Sequence, residues 1–229
     1  ASSGVSHNLN GQKLGRKGRV TRERILAATV ELLDSPAGEA ISMSAVARKA
    51  SLGMTSLYNY FNDLSELLLA VLEPVMAETE QAFISMLRSR WPDEELGERC
   101  YAFLRAYHDF WARHARLLHL RNLMADNRDE QLLIHRVRAT MPVIRLIVAQ
   151  MDDDPELEKP PLLGMATVLM TGIERTVTTS TDRGLTELFG PDRAFPADHY
   201  LRPEARLMEL AIRDARMRMA EGWPSLPPA

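Results

Sequence analysis

Between Thr21 and Glu221 apolar residues recur three and four positions apart, and nowhere do several consecutive segments alternate apolar with polar. The first spacing lines one stripe of an α-helix; the second would line one face of a strand. A sheet therefore has no material, and the chain is expected to be all-α, with about nine helices. The first runs from Thr21, as N-cap, through Ile25, Ala28, Thr29 and Leu32 or Leu33, and Asp34-Ser-Pro-Ala-Gly38 stops it. Ile41-Ser-Met-Ser44 alternates as a short strand does, but Met43, Val46, Ala47 and Ala50 follow at helical spacing, which favours a helix capped by Ser42. Ser51-Leu52-Gly53 is a tight turn and Met54 to Tyr60 a second short helix. Asp63 or Ser65 then caps a long helix reaching about Arg90, with Pro74 as a bend. Further helical patterns run from about Leu96 to Arg113, Ala115 to Met124, Asp129 to Gln150, Pro161 to Thr181 and Pro203 to Glu221.

Two short helices joined by a three-residue turn and preceded by a third have the layout of a helix-turn-helix, whose second helix enters the major groove of DNA. Leu57 and Phe61 stand four apart on one face and can pack against Val46, Ala47 and Ile25. Thr55, Ser56, Asn59 and Tyr60 then face solvent, all hydrogen-bonding groups and none a carboxylate. Helix spacing alone fits a pair of packed helices in an ordinary bundle equally well. The net charge of −3 argues mildly against a nucleic-acid partner, yet it is an average of unlike parts. Residues 1–62 hold eight Lys or Arg against four Asp or Glu, a balance of +4, and the remainder carries −7.

The run from Arg22 to Leu72, above all ISMSAVARKASLGMTSLYNYFNDLSELLLAVL, resembles the DNA-binding domain of TetR-type transcriptional regulators. The residues that carry the likeness are Ser42, Val46-Ala47, Ala50, Thr55-Ser56-Leu57-Tyr58-Asn59-Tyr60-Phe61 and Glu66-Leu67-Leu68, over about the first third of the chain. The resemblance implies a three-helix helix-turn-helix domain at 21–68, after a flexible basic arm at 1–20, and a larger helical domain at 69–229 for effector binding and dimerisation. It implies that Ser42 caps its helix and contacts phosphate, and that Ser44, Thr55, Ser56 and Asn59 approach base edges. Tyr58 and Tyr60 would reach phosphates with their hydroxyls and thymine methyls with their rings, and Met54 would add apolar contact. Arg16, Lys17 and Arg19 of the arm would follow the phosphates or the minor groove, a solvated tail being the other reading. Two positions depart from the family pattern. Ser51 stands where glycine is usual and is strained if the site needs φ > 0. Leu64 stands where a lysine commonly touches phosphate.

A single short recognition helix reads few base pairs, so a two-fold dimer on a near-palindromic double-stranded DNA operator is expected. The last two long helices are the interface candidates. Gly164, Thr167 and Gly172 allow close backbone approach in one. In the other, Met208, Ile212, Ala215 and Met219 form one apolar stripe with Leu207, Leu210, Ala211 and Met217 beside it, a breadth that suggests burial on two sides. Phe103, Tyr107, Phe110 and Trp111 share a face, and with Met124, Met141, Met165 and Leu169 they are candidates to line an adaptable, largely apolar effector cavity; plain core is the alternative. Glu174 and Arg175, inside an apolar helix, must pair if buried, either as an interface ion pair or as polar anchors for an effector.

The four histidines His108, His114, His119 and His135 match no metal motif, and no nucleophile elbow, glycine-rich phosphate loop or paired-carboxylate motif is present, so no metal, cofactor or enzymatic activity is expected. The longest apolar run, Leu162 to Ile173, is broken by Gly164, Thr167, Thr171 and Gly172 and falls short of a membrane span. With one cysteine, Cys100, and no apolar stretch in the opening residues, the cytoplasm is the expected compartment. The expected function is a sequence-specific transcriptional regulator, a repressor released by a small molecule; the alternative is a helical DNA-associated or ligand-binding protein without an inducer.

Overall fold

In a computed structural model, residues 15–35, 40–152, 160–182, 184, 187, 188, 190 and 196–221 are described, and no strand occurs among them. The α-helices are α1 (Arg16–Asp34), α2 (Met43–Lys49), α3 (Met54–Tyr58), α4 (Leu64–Ala77), α5 (Thr79–Ala82), α6 (Leu96–Arg113), α7 (Ala115–Asp126), α8 (Glu130–Met151), α9 (Pro160–Thr181) and α10 (Ala197–Ala220), with short 3₁₀ turns at Ile84–Leu87 and Asp93–Glu95. No helix among the described residues is long and apolar enough to cross a membrane. The chain divides into two compact units, one of Ala1–Ala77 with Arg116–Arg136 and one of Glu78–Ala115 with Val137–Ala229, so that α8 contributes to both.

In the first unit α1 packs on α2 and α4, and α2 on α3. Ile25, Ala28 and Leu32 of α1, Val46 and Ala47 of α2, Leu57 of α3, Phe61 and Leu67 form one buried cluster, the pairing that the spacing predicts. Helix α1 begins five residues before the expected start. Gly15 is its N-cap, and Thr21 is interior, its Oγ1 donating back to Lys17 O at 3.0 Å. Arg16, Lys17 and Arg19 are therefore helical rather than part of an arm, while residues 1–14 lie outside the described residues. Asp63 starts α4: its Oδ1 accepts from Glu66 N at 2.8 Å, and Glu66 Oε2 accepts from Asn62 N at 2.7 Å. Ser65 Oγ instead donates to Asp129, which caps α8 by accepting from Leu132 N.

The helix expected to reach Arg90 stops at Ala77. Pro74 is tolerated inside it, exposed. The α-helical path ends at Phe83, whose backbone turns to φ −154°, ψ −27° before the 3₁₀ turn and whose ring lies edge-on to Tyr107 and Phe110 at 5.0 and 5.4 Å. Burying that ring outweighs continuing the helix. The following segment is tied down by Gln150, which accepts from Trp91 N and donates to Leu87 O and Ser89 O, and by Arg216, which donates to Gln150 O, Trp91 O and Asp93. In the second unit α10 packs along α6 and α9. It starts at Ala197, not Pro203; the exposed Pro203 sits inside it.

Candidate nucleic-acid interface

The corner between α2 and α3 is set by the backbone. Leu52 N donates to Ala47 O at 2.9 Å and Ser51 N to Arg48 O at 3.1 Å, a Schellman ending in which Ser51 takes φ +52°. The strain anticipated for a serine at this glycine position is thus present. Leu52 is half-buried against the core and aims the chain into α3. The same ending, again without glycine, closes α7: Asp129 N donates to Met124 O and Arg128 N to Ala125 O, with Arg128 at φ +65°.

On α3 only Leu57 turns inward. Met54, Thr55, Ser56 and Tyr58 are exposed, the last by 47%, and Asn59 stays exposed at the C-cap with helical backbone angles, φ −72° and ψ −15°. The expected helix to Tyr60 is shorter, but Tyr60 N and Phe61 N both donate to Leu57 O, so the turn continues and Phe61 reaches the core. Tyr60 departs from its expected place: it is half-buried, with its ring against the core cluster, so that ring is committed to the protein. Ser42 caps α2, its Oγ accepting from Ala45 N at 3.2 Å and lying 3.0 Å from the hydroxyl of the exposed Ser44.

Ser44, Met54, Thr55, Ser56, Tyr58 and Asn59 thus come together as solvent-facing groups of two short helices, and residues 43–59 contain no carboxylate. Arg19 is exposed on α1. Sequence reading missed three neighbours. Arg48 is exposed on the last turn of α2, Lys49 pairs with Glu31 of α1 at 2.9 Å, and the Arg22 guanidinium lies 5.2 Å from the centre of the Phe61 ring. Burial lowers the pKa of Arg22, against the opposing pull of Glu73 and Glu66. The only signal for Arg22 was a cation on the α1 face adjoining Ile25.

The effector candidates fall in both units. Phe103, Tyr107, Phe110 and Trp111 are buried core of the second unit, with the Tyr107 ring centre 6.2 Å from that of Phe103 and 6.3 Å from that of Trp111, and Phe83 beside Phe103 and Phe110. Met124 lies in the first unit and is half-buried, as are Met141, Leu169 and Glu174 in the second, whereas Met165 is exposed. The interface candidates also separate. Met208, Ile212 and Ala215 are buried within the protomer, so the stripe named for the interface is core, with Met219 half-buried. The neighbouring stripe of α10, Leu207, Leu210 and Met217, is the exposed one. On α9, Gly164 and Thr167 are exposed beside Val168, which is 71% exposed, and Gly172 is half-buried, with Glu204 Oε1 3.1 Å from where its Cβ would stand.

No family model and no curated protein matches the chain. Among solved structures it shares its fold with a TetR family transcription regulator from Marinobacter aquaeolei VT8, with a TM-score of 0.51 and 21% identity over 86% of this chain and 97% of that one.

Proposed function

We propose that the chain is a sequence-specific, double-stranded DNA-binding transcriptional regulator of TetR type that acts as a homodimer. The observation that carries this reading is the carboxylate-free face of Ser44, Thr55, Ser56, Tyr58 and Asn59, carried on a corner whose opposite side is buried core. Hydroxyls and an amide on a short exposed helix suit both the phosphates that position a protein and the base edges that specify sequence. Arg48, Arg19 and Lys17 are exposed cations of the same unit, which is the form that nonspecific attraction to DNA takes.

Dimerisation supplies the second half-site. The exposed apolar residues Met165 and Val168 on α9 and Leu207, Leu210 and Met217 on α10 are the surface offered to a second copy. Regulation follows as repression released by a small, largely apolar effector: a ligand preferring the non-binding form lowers operator affinity by its differential affinity for the two forms. Selection from a random duplex library, followed by anisotropy titration, tests the reading. It expects a two-fold symmetric sequence with half-sites about one helical turn apart. Uniform, salt-sensitive binding without enrichment overturns it. Val168→Glu with Leu210→Glu is expected to give folded monomers in sedimentation that lose operator affinity.

A further inference from the structure

Two adjacent cations close α2 and meet different surroundings. Lys49 Nζ lies 2.9 Å from Glu31 Oε2 of α1, so its charge is answered within the unit. Arg48 is exposed and makes no ion pair or side-chain hydrogen bond among the described residues. It follows Ser44 by four positions on the same face of α2, which puts their Cβ atoms about 5–6 Å apart. Ser44 is exposed too, and its hydroxyl lies 3.0 Å from that of the half-buried Ser42, whose oxygen already accepts from Ala45 N. Two hydroxyls that share one hydrogen bond keep one O–H to give, and the outer of the two is Ser44. Ala45, Val46 and Ala47 are buried, so this face is backed by core. The start of α4 offers no such group: Leu64 packs on the core cluster, and its neighbours Asp63 and Glu66 are carboxylates.

We infer that Arg48 and Ser44 form a phosphate anchor that sets the position of the reading corner on DNA. The guanidinium takes one non-bridging oxygen of a single backbone phosphate, and the Ser44 O–H donates to the other. A planar, always-charged fork suits a phosphodiester, and contacts of this kind fix position without reading sequence. Ser44 thereby serves the phosphate rather than a base edge. The location suits positioning, because Arg48 O accepts from Ser51 N at 3.1 Å, in the turn that carries the chain from α2 into α3. Holding Arg48 on a phosphate therefore decides where α3 lies over the bases. The anchor rests on the DNA reading proposed above and goes past it, since diffuse attraction would weigh Arg48 and Lys49 alike.

Anisotropy titrations of the full chain at several salt concentrations, on the operator from the library selection and on a random duplex of the same length, test it. Arg48→Ala and Lys49→Ala each remove one positive charge from an exposed side chain, and both should melt close to the parent. Arg48→Ala is expected to weaken operator binding about tenfold or more, evenly over sequences, and to flatten the dependence of log affinity on log salt by about one unit of slope, the share of one phosphate. Lys49→Ala should leave the slope as in the parent. Arg48→Lys keeps the charge and loses the fork, so it should keep the slope and recover only part of the affinity. Ser44→Ala should weaken binding about two- to tenfold with no change of slope and no loss of discrimination at any base pair. Equal slope losses in Arg48→Ala and Lys49→Ala, an unchanged slope in Arg48→Ala, or lost discrimination at one base pair in Ser44→Ala overturns the anchor. An enriched operator with any of these results leaves the regulator reading standing. Without enrichment that reading falls, and the slopes on the random duplex judge the anchor alone; no binding to either duplex removes both.

Discussion

Two exposed residues of the first unit, Met54 and Tyr58, contrast with buried residues of the same types in the second. In the reading corner Met54 and Tyr58 stand in solvent, whereas Tyr107, Met151, Met170 and Met208 of the second unit are buried. The difference is one of helix length and partnership. Helix α3, five residues long, turns only Leu57 inward and depends on α1, α2 and Phe61 for its place. Helix α6, eighteen residues long, buries seven of its own side chains. Folding explains the positions of the second set, at about 1.5–3 kcal/mol for each large apolar side chain removed from water. It does not fix the first set, whose side chains contribute little burial to the fold.

The comparison breaks most visibly at the aromatic cluster. Phe103→Ala is expected to lose about 3–5 kcal/mol in denaturant unfolding; a loss below about 1 kcal/mol would make the ring a cavity wall, as the effector expectation had it, rather than core. In the reading corner the expectation reverses. Asn59→Ala should leave stability within about 0.5 kcal/mol and remove about 1–3 kcal/mol of discrimination at one base pair, read by titrating operators that differ at single positions. An even loss over all positions would place Asn59 on phosphate instead. Smaller gains are expected where the backbone is strained. Ser51→Gly and Arg128→Gly should each stabilise by about 0.5–1 kcal/mol, since both positions have positive φ, and Ser51→Val should destabilise.

The smallest effect concerns Glu204, half-buried on the side of α10 that meets α9. Burial raises its pKa, and the hydrogen bond it accepts from Thr176 Oγ1 at 3.2 Å pulls the other way. A carboxyl whose folded pKa lies above its unfolded value is destabilising while ionised, and this penalty disappears as pH falls through the raised value. Glu204→Gln should therefore melt higher than the parent near pH 7, and the gap should close on acidification towards about pH 4. A gap that widens in acid contradicts the sign.

The reading corner was legible because its information is local. The Ser42 cap, the inward Leu57 and Phe61 and the strained Ser51 each depend on residues within a few positions. The end of α4 was not, because what stops the helical path is the burial of Phe83 against Tyr107 and Phe110, more than twenty residues away. The start of α1 was missed because Thr21 has a good capping side chain but uses it inside the helix, on Lys17 O. The two stripes of α10 were both visible as apolar; nothing local says which of them the protein's own α6 and α9 cover.

The Schellman corner has a consequence for how such a protein changes its vocabulary. The angle at which α3 leaves α2 is written in main-chain hydrogen bonds, from Leu52 to Ala47 and from Ser51 to Arg48, and in the inward Leu52 and Leu57. None of these involves the side chains of Thr55, Ser56 or Asn59. Those three positions can be exchanged while the helix keeps its bearing, so under the proposed function a new target sequence is reachable by lettering alone, with the page already held at the right slant.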